Sequence, residues 1–257
     1  MADWNPSLYL KYGEARTRPA AELAAAISLT APARVLDVGC GPGNSTAVLA
    51  ARFPGAAVTG IDSSPSMVAA AKAAYPQYEF KACDISTQLE TLGCGWDVIF
   101  SNACLQWVPN HKALVPALYG LLAPGGVLAV QVPQQQAQPV HTLLRQLAAS
   151  PRWCGKLAVR PLHLLTPAGY WALLARLTPA FRLWETVYYQ TMESQEALLE
   201  WYRGTGLRPY LAQLAPEDQP AFEADVLAGI RRLYPADENG RVLFPFPRLF
   251  FLAEKER

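Results

Sequence analysis

The sequence predicts an α/β protein: a doubly wound, mostly parallel sheet with helices on both faces and a helical cap inserted late in the chain. Three observations carry this expectation. Apolar runs of strand length alternate with helical patterns through the first half of the 257 residues. The first of these runs ends in VLDVGCGPGNST (35–46), a strand, a glycine turn and the start of a helix. Residues 193–245, largely of helical pattern, separate two late strand-like runs and are too long for a hairpin connection.

The strand candidates are ARVLDVG (33–39), AAVTGID (56–62), YEFKACDI (78–85), WDVIFSN (96–102) and GVLAVQV (126–132), with helical stretches over 44–53, 64–75 and 111–122. Ser64 and Pro65 suit a helix start, because Ser caps free N–H groups and Pro fits the first helical position. Ala123-Pro124-Gly125-Gly126 reads as the turn before the fifth strand. In the second half, FRLWETVYYQTM (181–192) and LFFLAE (249–254) read as strands. Helical patterns at 194–203 and 216–234 lie between them, joined through GTGLRPYL (204–211). No internal repeat or low-complexity linker breaks the chain, so one domain over 1–257 is expected, with a cap at about 193–245.

Composition narrows the function classes. Hydrophobic residues make up 51% and charged residues 17%, the balance of a chain with a large core. A formal net charge of +1, with no basic stripe, argues against nucleic acid or an anionic membrane as partner. The start of the chain lacks a signal-peptide pattern and no apolar run has membrane-spanning length, so a cytoplasmic protein is expected. Five cysteines, none in a CxxC pair, read as reduced thiols. Three histidines without HxxxH or HExxH spacing give no metal site, and they read as structurally unremarkable.

The glycine turn is the chemical signal. Glycines let a loop backbone approach a ligand, and the helix that follows offers free N–H groups. Dinucleotide sites prefer GxGxxG, whereas Gly39, Gly41 and Gly43 are spaced GxGxG. Three acids fall at successive strand ends. Asp37, inside the motif, can face a cationic amine, and Asp62 can accept from a ribose diol. Asp84 in CDI can read an adenine amino group together with the next backbone N–H, that of Ile85. A pyrophosphate would be repelled by Asp37, while an ammonium would be held. NAD would explain Asp62 but neither Asp37 nor Asp84. The ligand that combines amine, ribose and adenine without phosphate is S-adenosylmethionine, with Asn44, Ser63, Met67 and Asn102 completing the expected binding set.

These motifs, with TGIDSSPSM and SNACLQWV, resemble the class I S-adenosylmethionine-dependent methyltransferases. The likeness continues through DWNPSLYL at the start, ARTRPA (15–20), LQWVPNH (105–111), GVLAVQVP (126–133), TGLRPYL (205–211) and FPRLFFLA (246–253). Together these segments resemble the trans-aconitate 2-methyltransferase family from end to end. The resemblance implies a Rossmann-like sheet of seven strands whose last two are 181–192 and 249–254, with the cap over the site. Two stretches depart from the family pattern, QVPQQQAQP (131–139) and Ser150 to Leu165.

A carboxylate acceptor, as the resemblance implies, is already ionised at neutral pH. No general base is needed, and none is evident in the sequence. Catalysis then rests on positioning, for which Trp107, Gln106 and Asn102 after the fourth strand are candidates. Desolvating a tricarboxylate requires paired cations and donors. Arg208, Arg18 and Arg248 are the candidate cations, and Tyr210 and Tyr12 the neutral donors. Trp107 could also wall the transferring methyl. A small-molecule tricarboxylate and a monomer are expected. Three rivals stay open: a methyltransferase esterifying malonyl-acyl carrier protein, an NAD-dependent oxidoreductase, and a catalytically silent binder.

Overall fold

A computed structural model describes residues 13–134, 138–159, 161 and 163–257, with side chains from Thr17 onward. Seven strands form one sheet: β1 (Arg34–Val38), β2 (Ala57–Asp62), β3 (Glu79–Ala82), β4 (Trp96–Asn102), β5 (Leu122–Pro133), β6 (Phe181–Met192) and β7 (Val242–Glu254). Their order is β3-β2-β1-β4-β5-β7-β6, parallel except that β7 runs antiparallel to both β5 and β6. The chain leaves β1 for β2 on one side and later returns to β4 on the other. That switch point, at the carboxyl ends of β1 and β4, is where open sheets of this kind bind ligands.

The helices are α1 (Gly13–Ala25), α2 (Asn44–Arg52), α3 (Pro65–Ala74), α4 (His111–Gly120), α5 (Pro139–Ala148), α6 (Pro167–Leu177), α7 (Gln195–Arg203), α8 (Arg208–Leu211) and α9 (Gln219–Leu233). Two cores form because residues of each strand alternate between faces. Val35, Phe100, Ala129, Phe250 and Leu252 face α1, α5 and the helices between β6 and β7. Leu36, Ile99, Leu128, Val130 and Phe251 face α4 and α6. Full burial of a side chain such as Phe250 or Phe251 contributes roughly 1.5–3 kcal/mol.

The predicted helix start at Ser64 is present: its hydroxyl accepts from the Met67 N–H, and Pro65 opens α3. Four helices lie where the sequence predicts none: α1, which carries an internal Pro19, α5, α6 and the short α8 within the predicted join at 204–211. The expected turn at 123–126 is instead a bulge within β5, since Leu122 pairs with Trp96 and Val127 resumes the ladder opposite Val98.

β7 begins at Val242, seven residues before the predicted start at Leu249, and it contains Pro245 and Pro247. Pairing with β5 reaches only to Arg248 opposite Pro133, so β6 and β7 continue past the sheet as a two-stranded ribbon. The Pro247 carbonyl points away from β6 and accepts from the Gln134 N–H at 3.0 Å. Both prolines therefore turn their N–H-less nitrogens to the side where the β5 ladder has ended, and no bond is lost.

Candidate active site

The loop after β1 is held from two sides. The N–H groups of Gly39 and Cys40 donate to the Ile61 carbonyl at 2.8 and 2.9 Å. The Asp62 carboxylate accepts from the Gly41 N–H at 3.0 Å and from the Ser64 N–H at 2.9 Å. The three motif glycines have different work. Gly39 (φ +75°) lies against Cys104, and Gly43 (φ +95°) has the Tyr75 ring 2.6 Å from where a Cβ would be. Gly41 (φ +54°) has open space at that position. Two glycines thus satisfy packing, and the middle one leaves the cleft clear for a ligand.

Asp37 is wholly buried beneath this loop. Its Oδ2 accepts from Ser45 Oγ and Thr46 Oγ1, both at 2.7 Å, while Oδ1 is buried with no hydrogen-bond partner. Burial pushes its pKa up to about 6 against the two hydroxyl bonds, and the neighbouring charge of Asp62 adds to the rise. Asn44, half-buried, opens α2 beside it; Ser63 is exposed, and Met67 is buried in the first turn of α3. Past β3, Asp84 Oδ1 accepts from the Ser86 N–H and hydroxyl at 2.9 and 2.6 Å, and Ile85 is buried. The thiols of Cys40 and Cys104 are driven upward, chiefly by burial, which leaves them protonated and inert.

The turn after β4 is built around a strained residue. Ala103 adopts φ +55°, uncommon for a residue with a Cβ, and its N–H donates to the Gln131 carbonyl at 3.0 Å. Gln106 Nε2 donates to the Ala103 carbonyl at 2.7 Å, and Trp107 is half-buried at the end of the same turn. His111, 1% exposed, fixes this turn from below. Its Nε2 lies 2.9 Å from the Leu105 carbonyl and 3.0 Å from that of Val108, so Nε2 carries the proton. Its Nδ1 then accepts from the Tyr170 hydroxyl at 2.6 Å. Burial lowers the imidazole pKa, which keeps this relay neutral. From sequence alone His111 reads as structurally unremarkable. LQWVPNH gave the spacing, but the partner Tyr170 is 59 residues away.

Asn102 on β4 stands opposite Gln131 on β5, and Arg248 on β7 is opposite Pro133 on one side and Thr186 on the other. By strand alternation Asp37, Asn102, Gln131 and Arg248 all share the α1 face. Arg248 is buried, its guanidinium carbon 3.8 Å from the Phe246 ring centroid, and it donates to Gln131 Oε1 at 3.5 Å. Arg18 on α1 is exposed, 5.1 Å from the ring of Tyr188. Glu22, one turn along, accepts from Trp184 Nε1 (3.1 Å), Thr186 Oγ1 (2.6 Å) and Tyr188 Oη (2.5 Å), three alternate residues of β6. Partial burial works to raise the Glu22 pKa, but these bonds and Arg18 outweigh it and hold the carboxyl low.

In the connection between β6 and β7, Arg208 opens α8 half-buried, and Tyr210 is buried with its ring 6.2 Å from that of Phe222. Gly206 before them is a packing glycine, 2.9 Å from His141 at the Cβ position. The structure thus gathers the glycine-loop residues at one place, with Asn102 on the adjoining strand β4, while Arg248 and Arg18 lie toward β6 and β7. Tyr12 lies outside the described residues. Among those described, no group of three or more His, Cys, Asp or Glu side chains could hold a metal ion.

Comparison with known proteins agrees with this architecture. Residues 35–126 match the family described as "Methyltransferase domain". Solved structures share the fold. YcgJ from Bacillus subtilis superposes with a TM-score of 0.62 at 13% identity, covering 93% of this chain and 99% of that one. Phosphoethanolamine N-methyltransferase 2 of Haemonchus contortus, solved with S-adenosyl-L-methionine, gives 0.54 at 17% identity, covering 93% and 53%. Curated relatives are far more similar and span the whole chain. The trans-aconitate 2-methyltransferase of Methylobacterium radiotolerans is 46% identical over 99% of both chains, and that of Variovorax paradoxus 44% over 100% of both. The Escherichia coli (strain 55989) protein of the same name is 42% identical over 99% of both. On this full-length likeness, the chain belongs to the trans-aconitate 2-methyltransferase family.

Proposed function

We propose that this chain transfers the methyl group of S-adenosylmethionine to a carboxylate of trans-aconitate, yielding a methyl ester and S-adenosylhomocysteine. The observation that carries the reading is end-to-end similarity, at 42–46% identity, to enzymes of that name, in a chain whose strand-end acids surround a glycine loop. The residues present suit an adenosyl sulfonium. Asp37 keeps one buried carboxylate oxygen unbonded, suited to an ammonium, and Gly41 leaves the approach to the loop clear. Asp37, Gly39, Gly41, Gly43, Asn44, Asp62, Ser63, Met67, Asp84, Ile85 and Asn102 would hold it.

When bound, S-adenosylmethionine supplies an activated methyl group, transferred in line as a carboxylate oxygen bonds to carbon and the carbon–sulfur pair stays on sulfur. No proton moves, so the chain's own task is placement, an effect that reaches roughly 7–11 kcal/mol in well-oriented systems. Gln106 and Trp107, on the turn tied down by His111, would set the position of the acceptor. Arg248, Arg18, Arg208, Tyr210 and Tyr12 would offset the cost of desolvating its carboxylates. The reading takes residues 1–257 as a single domain with a cap at about 193–245, acting as a cytoplasmic monomer. No described helix is long and apolar enough to cross a membrane. The test is turnover of a panel of tri- and dicarboxylates, with mass spectrometry of the products. Methyl trans-aconitate is the expected product, and absence of any ester across the panel would overturn the reading.

A further inference from the structure

We infer that Gln131 is a further acceptor-binding residue: its amide Nε2 and the Arg248 guanidinium form a two-donor seat for one carboxylate of the acid. This rests on the methyl-transfer reading above. Gln131 is fully buried near the carboxyl end of β5, on the face where Val127 and Ala129 of the same strand are apolar. An amide at that depth is costly unless its polar atoms are bonded, and leucine would serve if packing were the only demand.

The neighbour fixes which way the amide points. A guanidinium has donors only, so the bond from Arg248 at 3.5 Å must meet the amide oxygen. Nε2 is thereby turned away, and it has no hydrogen-bond partner. The Phe246 ring under the guanidinium holds Arg248 in place, so the two donor groups are set before any ligand arrives. Across the β4–β5 pair, Asn102 offers the opposite chemistry, a buried Oδ1 without a partner. An acceptor atom there suits a donor group on the ligand of the acidic side, and the orphan amide on β5 suits an anion. The boundary between the two ligands therefore runs between β4 and β5.

Two variants separate recognition from simple buttressing of Arg248. Gln131→Met keeps the shape and removes the donor. Gln131→Glu keeps the acceptor facing Arg248 and puts negative charge where the substrate carboxylate would sit. We expect Q131M to raise KM for trans-aconitate by about tenfold to a hundredfold, with S-adenosylhomocysteine affinity and melting temperature close to wild type. Q131E should lose more activity than Q131M while binding S-adenosylhomocysteine normally. A buttress predicts the reverse order, because Glu would pair with Arg248 more strongly. Q131E as active as wild type, or an unchanged KM in Q131M, would overturn the inference alone. If Q131M does not fold, the Q131E result decides. Failure of the wild-type enzyme on every carboxylate would instead remove the underlying reading and this seat with it.

Discussion

The two halves of the sheet's carboxyl edge differ in charge and in construction. On β1 to β3, Asp37, Asp62 and Asp84 follow one another at strand ends within 48 residues, and their bonds run to nearby backbone and hydroxyl groups. On β5 to β7, Gln131 and Arg248 meet across 117 positions, and Glu22 reaches Tyr188 across 166. The acidic half is a local device that folds as strand, loop and helix. The amide and arginine half exists only once the antiparallel β7 has been laid between β5 and β6. In the proposed reading, a cationic donor and an anionic acceptor are sorted by this asymmetry.

Removing Asp62 should have the largest effect on the acidic half. Asp62→Ala deletes the acceptor for both Gly41 and Ser64, and S-adenosylhomocysteine affinity measured by calorimetry should fall about a hundredfold or more. Unchanged affinity would break the division between halves.

Next in size is a pH effect from Asp37. Its pKa is about 6 in the folded chain against an ordinary 3.8, and a bound ammonium favours the charged form. Binding below pH 6 must then release a proton. Affinity should be level above that pH and fall by up to about tenfold per unit below it, with proton release read from the buffer dependence of the heat. Stability of the unliganded protein moves the other way. The folded state holds more protons between the two pKa values, so stability rises as pH falls through that window.

On the other half, Glu22→Ala should lower stability by about 1–2 kcal/mol, since three donors of β6 lose their acceptor in a partly solvated place. Because the folded pKa of Glu22 is depressed, the wild-type advantage should be full above the ordinary carboxyl range and vanish as pH drops through the folded value. Paired thermal melts at neutral and acid pH measure it. The smallest change is Tyr170→Phe. Losing its bond to His111 should cost about 0.5–1.5 kcal/mol and lower kcat more than it changes S-adenosylhomocysteine affinity. The opposite split would place the relay on the donor side.

The same contrast explains what was legible beforehand. The glycine loop, the strand-end acids and the first five strands follow from patterns contained within a dozen residues each. The structure has β1, β2 and β4 within one residue of the predicted bounds, while β3 ends early at Ala82 and β5 already begins at Leu122. α1 was hidden by Pro19, which ordinarily argues against a helix interior. α6 carried a readable start in Thr166 and Pro167, with the Thr166 hydroxyl capping the Gly169 N–H at 3.1 Å. That start directly follows the stretch from Ser150 to Leu165, which departs from the family pattern. The early part of β7 was obscured by two prolines whose placement makes sense only when the end of β5 is known. Gln131 could not be singled out from sequence, because an orphaned amide is a property of burial and of a distant arginine.

Those prolines have a consequence for life at high protein concentration. A two-stranded ribbon projecting from a sheet would ordinarily offer its bare flank to any passing strand, the route by which native chains zip into aggregates. Pro245 and Pro247 withdraw the donors from the β7 flank of the projection, so a foreign strand finds no continuous ladder to extend. The overhang is sterile on that side, and the chain keeps a long two-stranded ribbon without leaving it open to fibrous growth there.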